Sequence, residues 1–475
     1  MIYDLVVAGG AVALPGGVVD CDIAVRGERI AAIGEPGSFR DAAAVVNAAG
    51  RLVVPGGIDP HVHCSLDIYN PSGGPPIMGA GPDVVGNAAI YGGTTTLIDF
   101  VKIWPDDDAR AKVRAQVERW SESSPCDYSF HVWFHDRIPA PQHEQIPELI
   151  TDGFPSFKVF ITDGFPAKRG RKVSMGTLLD LYRVTAEHGG IVAVHAEDDD
   201  LVMHAYDRMI PQGNVHFSKM SHVHSGISED LAFTRIISLL RHVPGAALYL
   251  MHVSAKEGVA AIRNARREGL AVYGETLHQY ALHTEADYLR PNGQQYHTYP
   301  SLKSEEDTAA IWSALVSGDL SVFATDELCT SLEEKLRGDR IDNTIGGNAG
   351  IEPRMAILYT EIVQKRDLGV EKFVELSSTS AAKLMGMYPQ KGAIMVGSDA
   401  DLAVLDVGLD KEITAADLHE TDYTPWEGWR VAAWPSSTIL RGQIRLRDGQ
   451  LVEPSAKGKV VHRRLAPTVN SGRIM

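Results

Sequence analysis

Two histidines, His61 and His63 in IDPHVHCS, stand two residues apart at the end of an apolar run, LVVPGGIDPH (52–61). In an extended chain residues i and i+2 share a face about 6.6 Å apart, so both imidazoles can reach one cation. A second pair with the same spacing, His222 and His224 in SHVHSG, follows no apolar strand and precedes a helical pattern, so it reads as loop or solvent contacts. Three more candidate donors sit in or at the ends of apolar runs: His195 in GIVAVHAE (190–197), His252 in ALYLMHV (247–253) and Asp326 in SVFATDE (321–327). A lone histidine in an apolar strand is ordinarily a satisfied core residue. Four of them with an aspartate form a donor set suited to zinc and related divalent ions, and burying them without a cation would leave several polar groups unsatisfied. Lys158, inside SFKVFI (156–161), adds an ammonium that must be paired or neutralised. Two readings stay open for it: a salt bridge to a carboxylate, or carboxylation by CO2 to an anionic carbamate whose two oxygens can bridge two cations.

Residues this far apart meet only if the fold brings strand ends together. Besides the runs just named, apolar β-rich segments occur at TTTLIDF (94–100), YSFHVWF (128–134) and AVYGETL (271–277), which makes eight in all. Helix-length connectors separate them, and EDLAFTRIISLLRHV and EGVAAIRNARREG repeat their apolar positions every three to four residues. Eight strands alternating with helices predict an α/β chain built as a (β/α)8 TIM barrel, whose functional residues gather at the carboxyl ends of the strands. The first fifty residues and the tail after GSDADLAVLDV are instead dense in short strands and turns. The expected organisation is a β-sandwich domain from residues 1–55 plus 391–475 around a barrel at 56–390.

Composition narrows the partners. The formal charge is -16, from 45 Lys+Arg against 61 Asp+Glu, with no dense basic stripe, so nucleic acid is not expected to bind. Four scattered cysteines without CxxC spacing fit a reducing compartment. The opening MIYDLVVAGGAVALPGG reads as strand and turn, and no apolar run reaches about 18 residues, so the expectation is a cytoplasmic protein with no membrane span.

Taken jointly, GGIDPHVH, YGGTTTLIDF, SFKVFI, AVHAED, LMHVS, ATDE, GNAGIEPRM and STSAAKLMGMYPQKGAIMVGSDADLAVLD resemble the amidohydrolase superfamily, and within it the dihydropyrimidinase and hydantoinase group. The resemblance spans nearly the whole chain. It implies a centre of two divalent ions, usually Zn2+, with His61, His63 and Asp326 on one ion and His195 and His252 on the other. Lys158, as N6-carboxylysine, would bridge both. A hydroxide bridging the two cations would attack a ring carbonyl of a small cyclic amide, and Asp326 would carry its proton to the leaving ring nitrogen. The resemblance also implies a homotetramer, and the tail RRLAPTVNSGRIM, with apolar residues but little power to fold alone, is expected to reach a neighbouring subunit.

Departures fall in the shell that would read the substrate. The tyrosine that such enzymes carry five residues after the lysine is Asp163 here. Their serine before the eighth strand falls at Tyr299, and their asparagine falls at Ala349, with Asn348 one place off. Dihydroorotases carry an arginine two residues after HxH, where this chain has Ser65, which disfavours dihydroorotate. Ser65, Asp163, Tyr299 and Asn348 are therefore the candidate substrate contacts. The alternatives are a cyclic imide hydrolase, an allantoinase-like enzyme, or a non-catalytic scaffold of the dihydropyrimidinase-related kind. Retention of all six ligand positions speaks against the last. The Gly- and Pro-rich segment CSLDIYNPSGGPPIMGAGPD reads either as a lid over the site or as a rigid surface excursion.

Overall fold

The computed structural model describes residues 3–168 and 170–472. Eight parallel strands form its centre, at Gly57–Asp59, Thr94–Ile103, Asp127–Phe134, Ser156–Phe160, Ile191–His195, Ala247–Leu250, Ala271–Leu277 and Val322–Ala324. They are hydrogen-bonded in sequence order, and each lies within or against one of the eight apolar runs. A parallel sheet covered on both faces asks for runs with little polar alternation, and the third, fourth, fifth and seventh strands are buried at every position. The ring closes just beyond the ends of the first and eighth strands: the N–H of His63 donates to the Glu327 carbonyl (2.7 Å) and that of Glu327 to the His61 carbonyl (3.3 Å). Barrel closure thus fixes the HxH pair beside Asp326.

Both termini contribute to a second sheet, as expected. It is one connected nine-stranded sheet in which Leu52–Pro55 lies between Tyr3–Leu14, parallel to it, and Leu402–Glu412, antiparallel to it. Leu5, Ile23, Val53, Leu402 and Ile439, from five of its strands, share one apolar cluster. The two units are riveted by Lys391, whose buried ammonium meets Asp127 at the start of the third barrel strand (2.6 Å), Asp401 (2.5 Å) and Asp399 (3.1 Å).

The described part of the C-terminal tail is tied to its own chain. It lies on its own barrel, across the amino ends of the strands. Arg463 is buried and donates to Ser129 Oγ (2.8 Å), the Phe130 carbonyl (2.6 Å) and Ser156 Oγ (2.8 Å), and Tyr273 Oη donates to the Val469 carbonyl (2.8 Å). Open hydroxyls and carbonyls at that end need donors, and the arginine fork supplies them within the same chain. Arg463→Ala is expected to destabilise the protein by about 2–4 kcal/mol, because several buried acceptors lose their donor at once. An unfolding midpoint in denaturant equal to that of the parent would show that the tail is not a structural tie.

Candidate functional site

The six expected donors converge at the carboxyl end of the barrel. His61 Nε2 and His63 Nε2 lie 2.9 and 3.1 Å from Asp326 Oδ1. Ligand atoms of these three residues lie within 4.8 Å of one another. Across the site His195 Nδ1 meets His252 Nε2 at 2.8 Å. Asp326 (φ 51°) and His252 (φ 40°) both adopt left-handed backbone, which costs a non-glycine residue on the order of 1 kcal/mol and marks positions held by their surroundings.

Two buried glutamates decide how the imidazoles present themselves. Glu275, in the seventh strand, accepts from His61 Nδ1, which turns Nε2 toward the centre. The same carboxylate is held by Tyr249 Oη (2.7 Å) and receives the backbone N–H of His252 (3.3 Å). Glu197 accepts from His195 Nε2 (3.1 Å), so His195 Nδ1 is the nitrogen turned to His252 across the site. Glu197 is in turn gripped by His224 Nδ1 (2.8 Å), whose other nitrogen bonds Tyr206 Oη (3.2 Å). His224, expected in a loop or solvent contact, is fully buried and positions the glutamate behind His195. Sequence reasoning missed Glu197, Glu275 and His224. A carboxylate two residues past His195 was the only local signal.

The electrostatics suit cation binding. Burial pushes His63 down to about 3 and His195 down to about 4, so both stay neutral at pH 7. Burial also opposes protonation of His61, but the Asp326 and Glu275 carboxylates outweigh it and push that ring up to about 9. Lys158 is buried under three rings, with Nζ 4.1 Å from the centroid of Phe100, 5.0 Å from Phe160 and 5.1 Å from Trp133. Among the described residues no carboxylate lies within 4 Å of it, which removes the salt-bridge reading. Burial pushes its amine down to about 8 against the pull of Asp326 and Glu275.

The residues present fit divalent cations. Among the described residues His61 Nε2 is buried without a hydrogen-bond partner, and the His61–Asp326 approach lacks hydrogen-bond geometry despite its 2.9 Å. Lone pairs crowding one another need a positive centre between them. A second buried acidic group, Asp127, Asp399 and Asp401, shows the contrast, since Lys391 already occupies its middle.

Above the donors opens a cavity whose walls include Leu66, Ile68, Phe160, Phe165, Tyr299 and Leu328. The Gly- and Pro-rich segment folds into a small hairpin, Asp67–Ile68 against Ile77–Met78, which packs on Leu328 and Ile345 and places Leu66, Ile68 and Tyr69 in the wall. Of the four candidate substrate contacts, Tyr299 lines the cavity and donates Oη to the Thr344 carbonyl (3.2 Å). The other three lie outside its lining. Asp163 Oδ1 accepts from the N–H groups of Arg171 (2.9 Å) and Lys172 (3.1 Å), organising its loop. Ser65 (φ 53°) joins the hairpin through its N–H to the Ala80 carbonyl, and Asn348 is wholly buried.

Comparison with known proteins agrees with this geometry. The model described as "Amidohydrolase family" matches residues 52–445. The D-hydantoinase of Geobacillus stearothermophilus is 32% identical over 466 residues, 96% of each chain, and that of Rhizobium radiobacter is 30% identical over 479 residues, 97% of this chain and 99% of the other. The crystal structure of dihydropyrimidinase from Brevibacillus agri superposes with a TM-score of 0.91 at 30% identity, covering 97% of this chain and 99% of that one. The L-hydantoinase (dihydropyrimidinase) of Arthrobacter aurescens gives a TM-score of 0.86 at 25% identity, covering 97% and 100%. With a barrel closed around this donor set and a family match over most of its length, the chain belongs to the amidohydrolase family.

Proposed function

We propose that the protein hydrolyses the ring amide of a hydantoin- or dihydropyrimidine-type substrate at a centre for two divalent cations. The observation that carries this reading is the pair of buried glutamates, Glu275 and Glu197, each fixing one nitrogen of a histidine so that the other faces the shared centre. His61, His63 and Asp326 would hold one cation and His195 and His252 the other, with Lys158 as N6-carboxylysine between them. Imidazole-rich sets with carboxylate favour zinc. Bound divalent cations polarise a carbonyl and lower the pKa of water, supplying a nucleophile at neutral pH.

The chain's own residues do the rest. The Lys158 amine, without an ion pair among the described residues and eased toward neutrality by burial, attacks CO2 through its lone pair. An N–C bond forms, one proton leaves, and the carbamate carries a single negative charge. Asp326, with Oδ1 within 3.1 Å of both His61 and His63, takes the proton of the attacking water through its carboxylate and returns it to the ring nitrogen as the C–N bond breaks. The hairpin residues Leu66, Ile68 and Tyr69 keep the ring in an apolar, water-poor space.

A division into a barrel at 56–390 and a terminal unit at 1–55 plus 391–475 belongs to the same reading, as does a homotetramer. A cytoplasmic location rests on four cysteines that are all free and buried; no helix among the described residues is long and apolar enough to cross a membrane. Metal analysis and a panel of ring compounds test the proposal. Two divalent ions per chain are expected, with ring opening of hydantoin or dihydrouracil that a chelator abolishes and added metal restores. Faster opening of succinimide or allantoin would replace this substrate class by an imide or allantoin one. A folded, metal-free, inactive protein would make the chain a non-catalytic relative.

A further inference from the structure

We propose that the substrate ring carries a side chain ending in a carboxylate, and that Arg171 reads it. This deepens the hydrolase reading and rests on it for the ring. Arg171 follows the fourth barrel strand and lines the same cavity as Lys158, His195, His252 and Asp326. Its guanidinium carbon lies 5.2 Å from the Phe160 ring centroid and 5.8 Å from that of Trp133. Lys158 Nζ lies 5.0 and 5.1 Å from the same two centroids, so at most one aromatic ring separates the guanidinium from the reaction centre. That interval matches the reach of a short substituent on a five- or six-membered substrate ring.

Among the described residues no carboxylate forms an ion pair with Arg171, and the acids around it are otherwise engaged. Asp67 pairs with Lys102, Asp199 pairs with Lys172, and Asp163 spends Oδ1 on two backbone N–H groups. Lys102 is therefore already neutralised by Asp67, whereas Asp163 acts on Arg171 only through space and leaves its fork without a direct carboxylate partner among the described residues. Its surroundings within the cavity are chiefly aromatic and aliphatic, which makes an unpaired planar fork costly until a planar anion arrives. A planar five-donor fork matches a planar carboxylate bidentately.

The test uses the full-length, metal-loaded protein with 5-(carboxymethyl)hydantoin and 5-(2-carboxyethyl)hydantoin against their carboxamide counterparts. Selectivity is read as the ratio of kcat/KM where the ring opens and as the ratio of calorimetric Kd where it does not. The parent should prefer at least one acid over its amide by about 10- to 100-fold, mainly through KM or Kd. Arg171→Gln should bring that ratio below about twofold, while Arg171→Lys keeps part of it, with thermal unfolding checking that both variants are folded. Equal handling of acid and amide by the parent overturns the inference. So does an Arg171→Gln variant that loses rate on both while keeping their ratio, since that would make Arg171 a stabiliser of ring charge. Opening of unsubstituted hydantoin with neither acid bound also overturns it and leaves the hydrolase reading intact. If no ring compound is bound or opened, the hydrolase reading fails and takes this inference with it.

Discussion

Lys158→Arg is expected to lose bound metal and turnover together. An arginine keeps its positive charge at the centre of the donor cluster and cannot be carboxylated as a lysine can. Lys158→Ala should be just as inactive as purified, but it leaves a gap beneath Phe100, Phe160 and Trp133, the rings that enclose Nζ. Acetate or propionate with excess metal should enter that gap and restore partial metal content and activity to the alanine variant, and none to the arginine variant. Metal content is read independently of rate, so loss of catalysis alone is not mistaken for loss of the bridge. If Lys158→Arg retains both ions and near-normal turnover, the bridging role is wrong.

Asp326→Asn should lower kcat by about 100- to 10,000-fold, the range typical of removing a positioned proton carrier. The amide keeps the shape and one oxygen, so His61 and His63 should still collect part of the metal. The acid/base role, however, requires a carboxylate, and burial is outweighed at Asp326 by His61 and His63, which hold its carboxyl well below the usual range. The expected signature is therefore a large loss of kcat with a smaller loss of metal. A variant that binds its full complement of metal and turns over within tenfold of the parent would assign the proton transfer to another group.

How much of this was legible beforehand depends on distance along the chain. The eight barrel strands could be read because each is a local apolar run bounded by turns or helices, and its burial on both faces needs no knowledge of its partners. His61, His63, His195, His252 and Asp326 could be singled out because polar donors at the ends of such runs are anomalous wherever the strands go. Lys158 could be flagged for its cost, but not resolved, since the absence of a nearby carboxylate is a fact of three dimensions.

The sequence by itself determined the strand order, the types of donor and the strand ends that carry them, because hydrophobic periodicity and desolvation act on neighbouring residues. Only the tertiary structure decided which groups hold those donors. Glu275 lies 214 residues from His61 and Glu197 lies 27 from His224, and no local pattern links either pair before the barrel closes. The same holds for Arg171, which in sequence is one basic residue among several in KRGRK and in the fold lines the cavity with no ion pair among the described residues. The tail adds another case: the amino ends of the barrel strands expose acceptors that Arg463 satisfies in its own chain. Hydrogen-bond satisfaction of buried polar groups is a global accounting, and only the folded chain can close it.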